Sequence, residues 1–105
     1  MSAGTMSVTF RLDGELTIYR AAELAPQLLA ALAGAPADAP FVIDLAGVTE
    51  MDSAGAQLLM AARKSAQAAG RELRLAGHGD AVREVFATLD LAPLFGDVAA
   101  SAAVA

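Results

Sequence analysis

The sequence contains no cysteine and no tryptophan, and it has a single histidine. Disulfides and thiolate metal sites are therefore excluded, and a histidine cluster cannot form. Basic residues are also scarce, since seven Lys and Arg stand against twelve Asp and Glu, for a net charge of −5. Because no basic stripe is available to neutralise phosphates, we expect no nucleic-acid binding.

Long apolar segments are missing as well. The longest uncharged run, residues 24–37, is shorter than the ~20 residues of a membrane-spanning helix. The opening MSAGTMSVTFRLDG shows no basic region followed by an apolar one, as a secretory signal would. We therefore expect a cytoplasmic protein with no direct membrane insertion.

A chain of 105 residues predicts one domain over 1–105, with a core of about 7–96 and a tail at 97–105. Apolar residues alternate from Ser7 to Leu12, as in a half-buried strand, and Asp13-Gly14 then offers a tight turn. Leu16 and Ile18 continue the alternation, which predicts a second strand antiparallel to the first. Helical spacing over about 20–32 follows, although Pro26 favours a start near Glu23 or a kink.

The rest of the chain predicts a loop over 34–40 and a central strand over 41–45, covered on both faces. A helix after Ser53 has Leu58, Ala62, Ala66 and Ala69 on one side and ends at Gly70, a residue suited to a left-handed cap. Residues 73–75 predict a short strand. A third helix carries Val82, Val85, Phe86 and Leu89 on its apolar side, with Asp80 as its N-cap, and Leu91, Leu94 and Phe95 fold back onto the core. The order ββαβαβα predicts a small mixed α/β sheet whose later strands are parallel.

Candidate chemistry is limited. Asp52, Ser53 and His78 are the residue types of an acid, a nucleophile and a base, but nothing in their spacing requires proximity. His78 stands between two glycines and is predicted to be a solvated turn residue. We therefore expect a non-enzymatic protein with no catalytic residue, no metal site and no cofactor.

The segment Asp52-Ser53-Ala54-Gly55 allows two interpretations. Asp and Ser before a helix are ordinary capping residues, and on local physics alone this is the stronger interpretation. Alternatively, Ser53 at a helix N-terminus could carry a phosphate in a favourable field. Gly55 favours the phosphate interpretation. Glycine in the first turns of a helix costs ~1 kcal/mol relative to alanine, and it is tolerated where another backbone, such as a partner's, approaches closely.

The same residues carry a family resemblance. The run from Asp44 to Gly55, Asp-Leu-x-Gly-Val-x-x-Met-Asp-Ser-Ala-Gly, resembles the STAS domains, the family of anti-sigma factor antagonists. Gly14-Glu15-Leu16 is similar to the family's second-strand signature, residues 73–77 to its last core strand, and the apolar pattern over 82–89 to its closing helix. Two positions differ from classical antagonists, which often have Ser at position 54, here Ala54, and Asp at position 17, here Thr17.

This resemblance implies a mixed four-stranded sheet with helices mainly on one side. It also implies that Ser53 is the phosphoacceptor of an anti-sigma factor that is a serine kinase, and that the dephosphorylated form binds this kinase. The chain is also similar to stand-alone STAS proteins encoded with chemosensory systems, and more loosely to the STAS subunit of the lipid-asymmetry ABC transporter. The partner surface implied is Thr49, Glu50, Met51, Asp52, Ser53, Ala54, Gly55, Gln57 and Leu58.

We thus expect a phosphorylation-controlled signalling module whose partner is a serine kinase or a chemosensory component. The alternative is a constitutive subunit of a lipid-transport ABC complex, in which Ser53 is only a cap and interface residue. Small-molecule binding is a weaker third option. Thr49 is a second hydroxyl in the same turn and is predicted to be a turn or cap residue.

Overall fold

A computed structural model describes residues 7–36 and 38–91, and within them strands and helices alternate strictly. The elements are β1 (Val8–Leu16), α1 (Ile18–Gly34), β2 (Phe41–Met51), α2 (Ser53–Ala68), β3 (Leu73–Ala76) and α3 (Asp80–Leu89). The described strands form one sheet in the order β1-β2-β3. Both neighbouring pairs are parallel, so α1 and α2 are crossovers between parallel strands.

The prediction of a mixed four-stranded sheet is wrong for this chain, because the described sheet has three strands and all are parallel. The predicted hairpin at Asp13-Gly14 does not form. Gly14 has a φ of 76°, yet the chain continues forward and both residues pair with β2. An alternating pattern has the same period in one strand as in two halves of a hairpin, so the pattern could not tell these apart.

The positive φ of Gly14 accompanies an irregularity of the strand instead of a reversal. The nine residues of β1 lie beside the eleven of β2, and the register shifts between Arg11 and Asp13 and again between Gly14 and Glu15. Each shift is a bulge that places an extra residue on β2. Thr49 is the extra residue of the second bulge, since its neighbours Val48 and Glu50 pair with Gly14 and Glu15.

The central strand was predicted correctly, and β2 continues six residues beyond the predicted end to Met51. One face of it is fully buried, with Phe41, Ile43 and Leu45 inaccessible to solvent. Val42 and Asp44 on the opposite face are half-buried, so this face is less covered by the described residues than the continuous apolar run predicted. Buried and half-buried residues therefore alternate along this part of β2, as in a sheet that packs one face against the core.

Residues of all three helices complete the core on that inner face. The buried cluster consists of Leu12, Leu16, Ala21, Leu28, Leu32, Phe41, Ile43, Leu45, Val48, Ala56, Leu58, Leu59, Ala62, Ala66, Leu75, Val82, Phe86 and Leu91. Small alanines in α2 allow it to lie close to its neighbours. Leu91 folds back onto the core as predicted, whereas Leu94, Phe95 and the tail lie outside the described residues.

The starts of two helices, α1 and α3, differ from the predictions. The first helix starts at Ile18, so this residue belongs to a helix and not to a second strand, and Pro26 lies inside the helix. Because proline has no N–H, the carbonyl of Ala22 lacks its usual helical donor. Ala22 and Pro26 are both exposed, so water can bond that carbonyl. At α3 the N-cap is Gly79, one residue before the predicted Asp80.

The predicted left-handed cap of α2 is confirmed, with a φ of 66° at Gly70. The Arg71 N–H donates to the Ala66 carbonyl at 2.8 Å, and the Gly70 N–H donates to the Gln67 carbonyl at 3.1 Å. These two bonds form a Schellman motif, which satisfies the last carbonyls of α2. The cap therefore turns the chain directly from α2 toward β3.

Candidate functional site

Asp52 joins the starts of two helices. Its Oδ1 accepts hydrogen bonds from the N–H groups of Ala54 and Gly55, at 2.9 and 3.2 Å, and thereby caps α2. Its Oδ2 accepts from the N–H of Ile18 at 3.2 Å, the first residue of α1. A carboxylate between two helix N-termini also neutralises the positive ends of both helix dipoles. Asp52 therefore fixes the position of the predicted site.

Ser53 is left without a capping role by this arrangement. It is the first residue of α2, its side chain is exposed, and within the described part of the chain its hydroxyl has no hydrogen-bond partner. Asp52, not Ser53, accepts the bonds that the capping interpretation required. The hydroxyl of Ser53 is consequently free for solvent or for another molecule.

Gly55 has a structural explanation within the chain. A Cβ built on Gly55 would lie 2.5 Å from the carbonyl oxygen of Leu16 and 3.0 Å from the Leu16 and Met51 side chains. The backbone that approaches Gly55 is thus the end of β1, and the glycine is buried. Its presence needs no partner, contrary to the sequence-based suggestion.

The remaining residues of the predicted surface divide by exposure. Thr49, Glu50 and Gln57 are exposed, Met51 and Ala54 are half-buried, and Leu58 is 5% exposed. The exposed members and Ser53 lie at the carboxyl end of β2 and the first turns of α2. A partner at this end of the sheet would meet mainly these polar side chains.

Two depressions flank the start of α2, and the sequence did not identify either of them. A groove of about 290 Å³ between α1 and α2 is lined by Ile18, Ala21, Ala22, Ala25, Ala54, Gln57, Leu58 and Ala61. A cleft of about 200 Å³ toward α3 is lined by Ser53, Glu84, Val85, Thr88 and Leu89. Helical spacing alone places these residues on helix faces, but it does not show which faces meet.

Apolar side chains are exposed beside this site. Ile18 is 60% and Tyr19 is 85% exposed, although both lie in the first turn of α1, next to Asp52. The sequence predicted a strand at Ile18, which hid this feature. Ile18 also lines the groove between α1 and α2, so the side of that groove next to Asp52 is apolar.

His78 is buried, and the prediction of a solvated turn residue is wrong. Only 7% of it is exposed, and its ring meets the Phe86 ring edge-on with centroids 6.1 Å apart. Neither ring nitrogen has a hydrogen-bond partner among residues 7–36 and 38–91. Burial, with a further contribution from the nearby Arg83 charge, lowers the pKa of His78.

The Asp52-Ser53-His78 relay considered from the sequence is therefore not formed. A general base must lie within hydrogen-bond reach of its nucleophile, and the His78 nitrogens make no such bond. No cluster of three metal-ligating side chains occurs among the described residues either. This arrangement offers a capped helix with an exposed hydroxyl rather than a group of cooperating side chains.

Fold and site together define a small α/β domain that presents one exposed serine at a capped helix N-terminus. The chain belongs to the STAS domain family, because the family model described as "Mlab, STAS domain" matches residues 2–96. No protein of curated function matches the chain. None of the helices in the described part of the chain is long and apolar enough to cross a membrane.

Solved structures support the fold. The anti-sigma factor antagonist SpoIIAA in its unphosphorylated form is 24% identical, with a TM-score of 0.68 over 89% of this chain and 79% of that one. The STAS domain of a SulP transporter from Vibrio cholerae is 20% identical, with a TM-score of 0.67 over 86% and 68%. A sulfate transporter family protein from Wolinella succinogenes is 17% identical, with a TM-score of 0.70 over 97% and 88%.

Proposed function

We propose that this chain is a non-enzymatic, cytoplasmic regulatory module that binds a protein partner through the end of the sheet around Ser53. In this proposal Ser53 is the phosphoacceptor, and its phosphorylation switches the partner off. The partner is a serine kinase of the anti-sigma factor type or a component of a chemosensory system. The similarity to the antagonist SpoIIAA supports this class of partner.

The proposal depends on one observation: Asp52 caps α2, while its neighbour Ser53 is exposed and takes no part in the cap. Asp52 satisfies the first N–H groups of α2, while the Ser53 hydroxyl is exposed and without a hydrogen-bond partner in the described part of the chain. A kinase could therefore modify Ser53 without breaking the cap. A serine that supplied the cap would have to rearrange that hydrogen bond when it was phosphorylated.

The effect of a phosphate at Ser53 follows from its surroundings. Phosphorylation adds about −1.5 to −2 charges beside Asp52 and the exposed Glu50. A partner seated here would have to desolvate that added charge next to the apolar side chains of Ile18 and Tyr19. A loss of a few kcal/mol is expected, and each 1.4 kcal/mol changes the dissociation constant tenfold.

The test begins with the intact mass of the protein from its own cells, before and after phosphatase treatment, with fragmentation to locate any phosphate. Binding to the partner kinase is then measured for Ser53→Asp and Ser53→Ala. Ser65→Asp is the matched control, because Ser65 is an exposed serine farther along α2. We expect only Ser53→Asp to abolish binding, and equal binding by both Ser53 variants would refute the switch.

A second candidate is a constitutive subunit of a membrane transporter, in particular of a lipid-transport ABC complex. Two of the similar structures favour a transporter subunit in general, since one is a SulP transporter STAS domain and the other a sulfate transporter family protein. In that case Ser53 is an unmodified interface residue. Stable co-purification with an ABC transporter from detergent-solubilised membranes is expected, and recovery from the soluble fraction alone would count against it.

A further inference from the structure

The cleft between α2 and α3 places Ser53 opposite a charged residue that the sequence did not connect with it. Its volume is about 200 Å³, and Ser53 lines it together with Glu84, Val85, Thr88 and Leu89. Ser53 and Glu84 therefore border the same small space. Exposed charges that border one space are screened less as the ionic strength falls.

The charge of Glu84 is not neutralised locally. Glu84 is exposed, and within the described ranges no ion pair involves its carboxylate. Asp52 and Glu50 lie on the other side of Ser53 along the chain. A further negative charge at Ser53 would thus be added to a segment that already carries Glu50 and Asp52 and that borders the same cleft as Glu84, and like charges repel.

Helix α3 is the element best able to respond. It has ten residues, and only Val82 and Phe86 of them are buried. Its N-cap, Gly79, supplies no side-chain hydrogen bond. Helices this short are marginal without packing, so a small change in packing energy alters their stability noticeably.

We propose that a negative charge on Ser53 acts on α3 as well as on a docked partner, by repelling the Glu84 carboxylate across this cleft. The inference rests on the proposed function insofar as it takes Ser53 as the modified residue. The repulsion loosens α3 against α2 and changes the cleft wall formed by Thr88 and Leu89. Phosphorylation of Ser53 then changes the surface of both α2 and α3 and not that of α2 alone.

A double-mutant cycle of Ser53→Asp and Glu84→Gln tests this in the whole chain without any partner. Asp at position 53 also interacts favourably with the dipole of α2, so the stability of the single variant does not measure the repulsion from Glu84. The cycle cancels the dipole contribution, because it is present with and without Glu84→Gln. We expect the unfolding constant, measured by urea denaturation at low salt, to show about twofold coupling between the two positions. The coupling should shrink at high salt.

A second double-mutant cycle serves as the control and pairs Ser53→Asp with Asp38→Asn instead of Glu84→Gln. Asp38 is an exposed acid before β2, and the eleven residues of β2, roughly 35 Å of strand, separate it from Ser53. Hydrogen exchange gives a second measurement. Amides of α3 should exchange faster in Ser53→Asp and return toward the original rate when Glu84→Gln is added.

Coupling no larger than in the Asp38 cycle, with α3 exchange unchanged by Ser53→Asp, would overturn the inference. Because no partner enters these measurements, that result would leave the Ser53 switch standing. Conversely, an intact coupling together with undiminished partner binding by Ser53→Asp would support the α3 effect and remove the switch. The two proposals therefore fail separately.

Discussion

Asp52 and Arg71 hold opposite ends of the same helix pair. Asp52 accepts N–H groups at the starts of α1 and α2, while the Arg71 guanidinium donates to the carbonyl oxygens of Ala35, at 2.8 Å, and Pro36 at the end of α1. The Arg71 backbone N–H also closes the cap of α2. An acid therefore lies at the positive ends of both helix dipoles and a base at their negative ends.

Replacing Asp52 should destabilise the protein by more than an ordinary capping substitution. Asp52→Ala removes the acceptor of three N–H groups on two helices, and we expect a loss of about 2–3 kcal/mol in the free energy of unfolding. Asp52→Asn keeps one acceptor oxygen and should lose less. Urea denaturation measures both variants. Equal losses from Ala and Asn would contradict this prediction, because they would show that the oxygen kept in Asn contributes nothing to the free energy of unfolding.

Arg71 should matter for its forked geometry as well as for its charge. Arg71→Ala removes both bonds to the end of α1 and should cost about 1–2 kcal/mol. Arg71→Lys retains the charge but cannot reach two carbonyls with a planar fork, so most of the loss should remain. The thermal midpoints of the two variants provide the comparison, and a fully stable lysine variant would indicate that charge alone suffices.

Gly55→Ala should destabilise the domain although alanine is the better helix former. The new Cβ would lie 2.5 Å from the carbonyl oxygen of Leu16, so β1 or α2 has to move. We expect a loss of roughly 2 kcal/mol or more, against a gain of up to ~1 kcal/mol in helix propensity. Gly34→Ala at the end of α1 is the control, because nothing lies within 4 Å of its added Cβ. A stable Gly55→Ala protein would contradict the observed packing.

The stability of the fold should fall in mild acid because of His78. Burial lowers the pKa of His78 in the folded state, so the unfolded chain binds a proton first as the pH falls below about 6.5. Neutral His78 makes its full contribution to the free energy of unfolding above that pH. Below it the contribution decreases, by at most about 1.4 kcal/mol at pH 5.5. His78→Leu should flatten this part of the profile in urea midpoints from pH 7.5 to 5.5. An unchanged slope in the variant would assign the pH dependence to other groups.

The sequence predicted that the three helices and the central strand exist, because helical apolar spacing and a continuous apolar run are strong signals, although β2 is longer and α1 starts earlier than predicted. It failed where one pattern fits two structures. Leu16 continues an alternation that suits either a hairpin or one bulged strand, and only pairing with β2 decides between them. Ile18 was assigned to a strand for the same reason, although it starts a helix and is exposed.

The candidate site shows a similar division. Asp52 and Ser53 are both good capping residues, and local propensity ranks them equally. The choice falls on Asp52 because a carboxylate has two oxygens, and a second helix start at Ile18 needs one of them. His78 was placed in solvent because its neighbours are glycines, but the Phe86 ring that buries it is contributed by α3. Contacts between elements distant in sequence cannot be obtained from local composition.

The exposed position of Ser53 also has a practical consequence. The chain contains no cysteine, so Ser53→Cys would give the protein a single thiol, in an exposed position whose side chain does not cap α2. A fluorophore or spin label attached there would sit between the α1–α2 groove and the α2–α3 cleft. A probe at this position would lie in the α2–α3 cleft, and the next residue, Ala54, lines the α1–α2 groove, so a single label could be used to test binding at both.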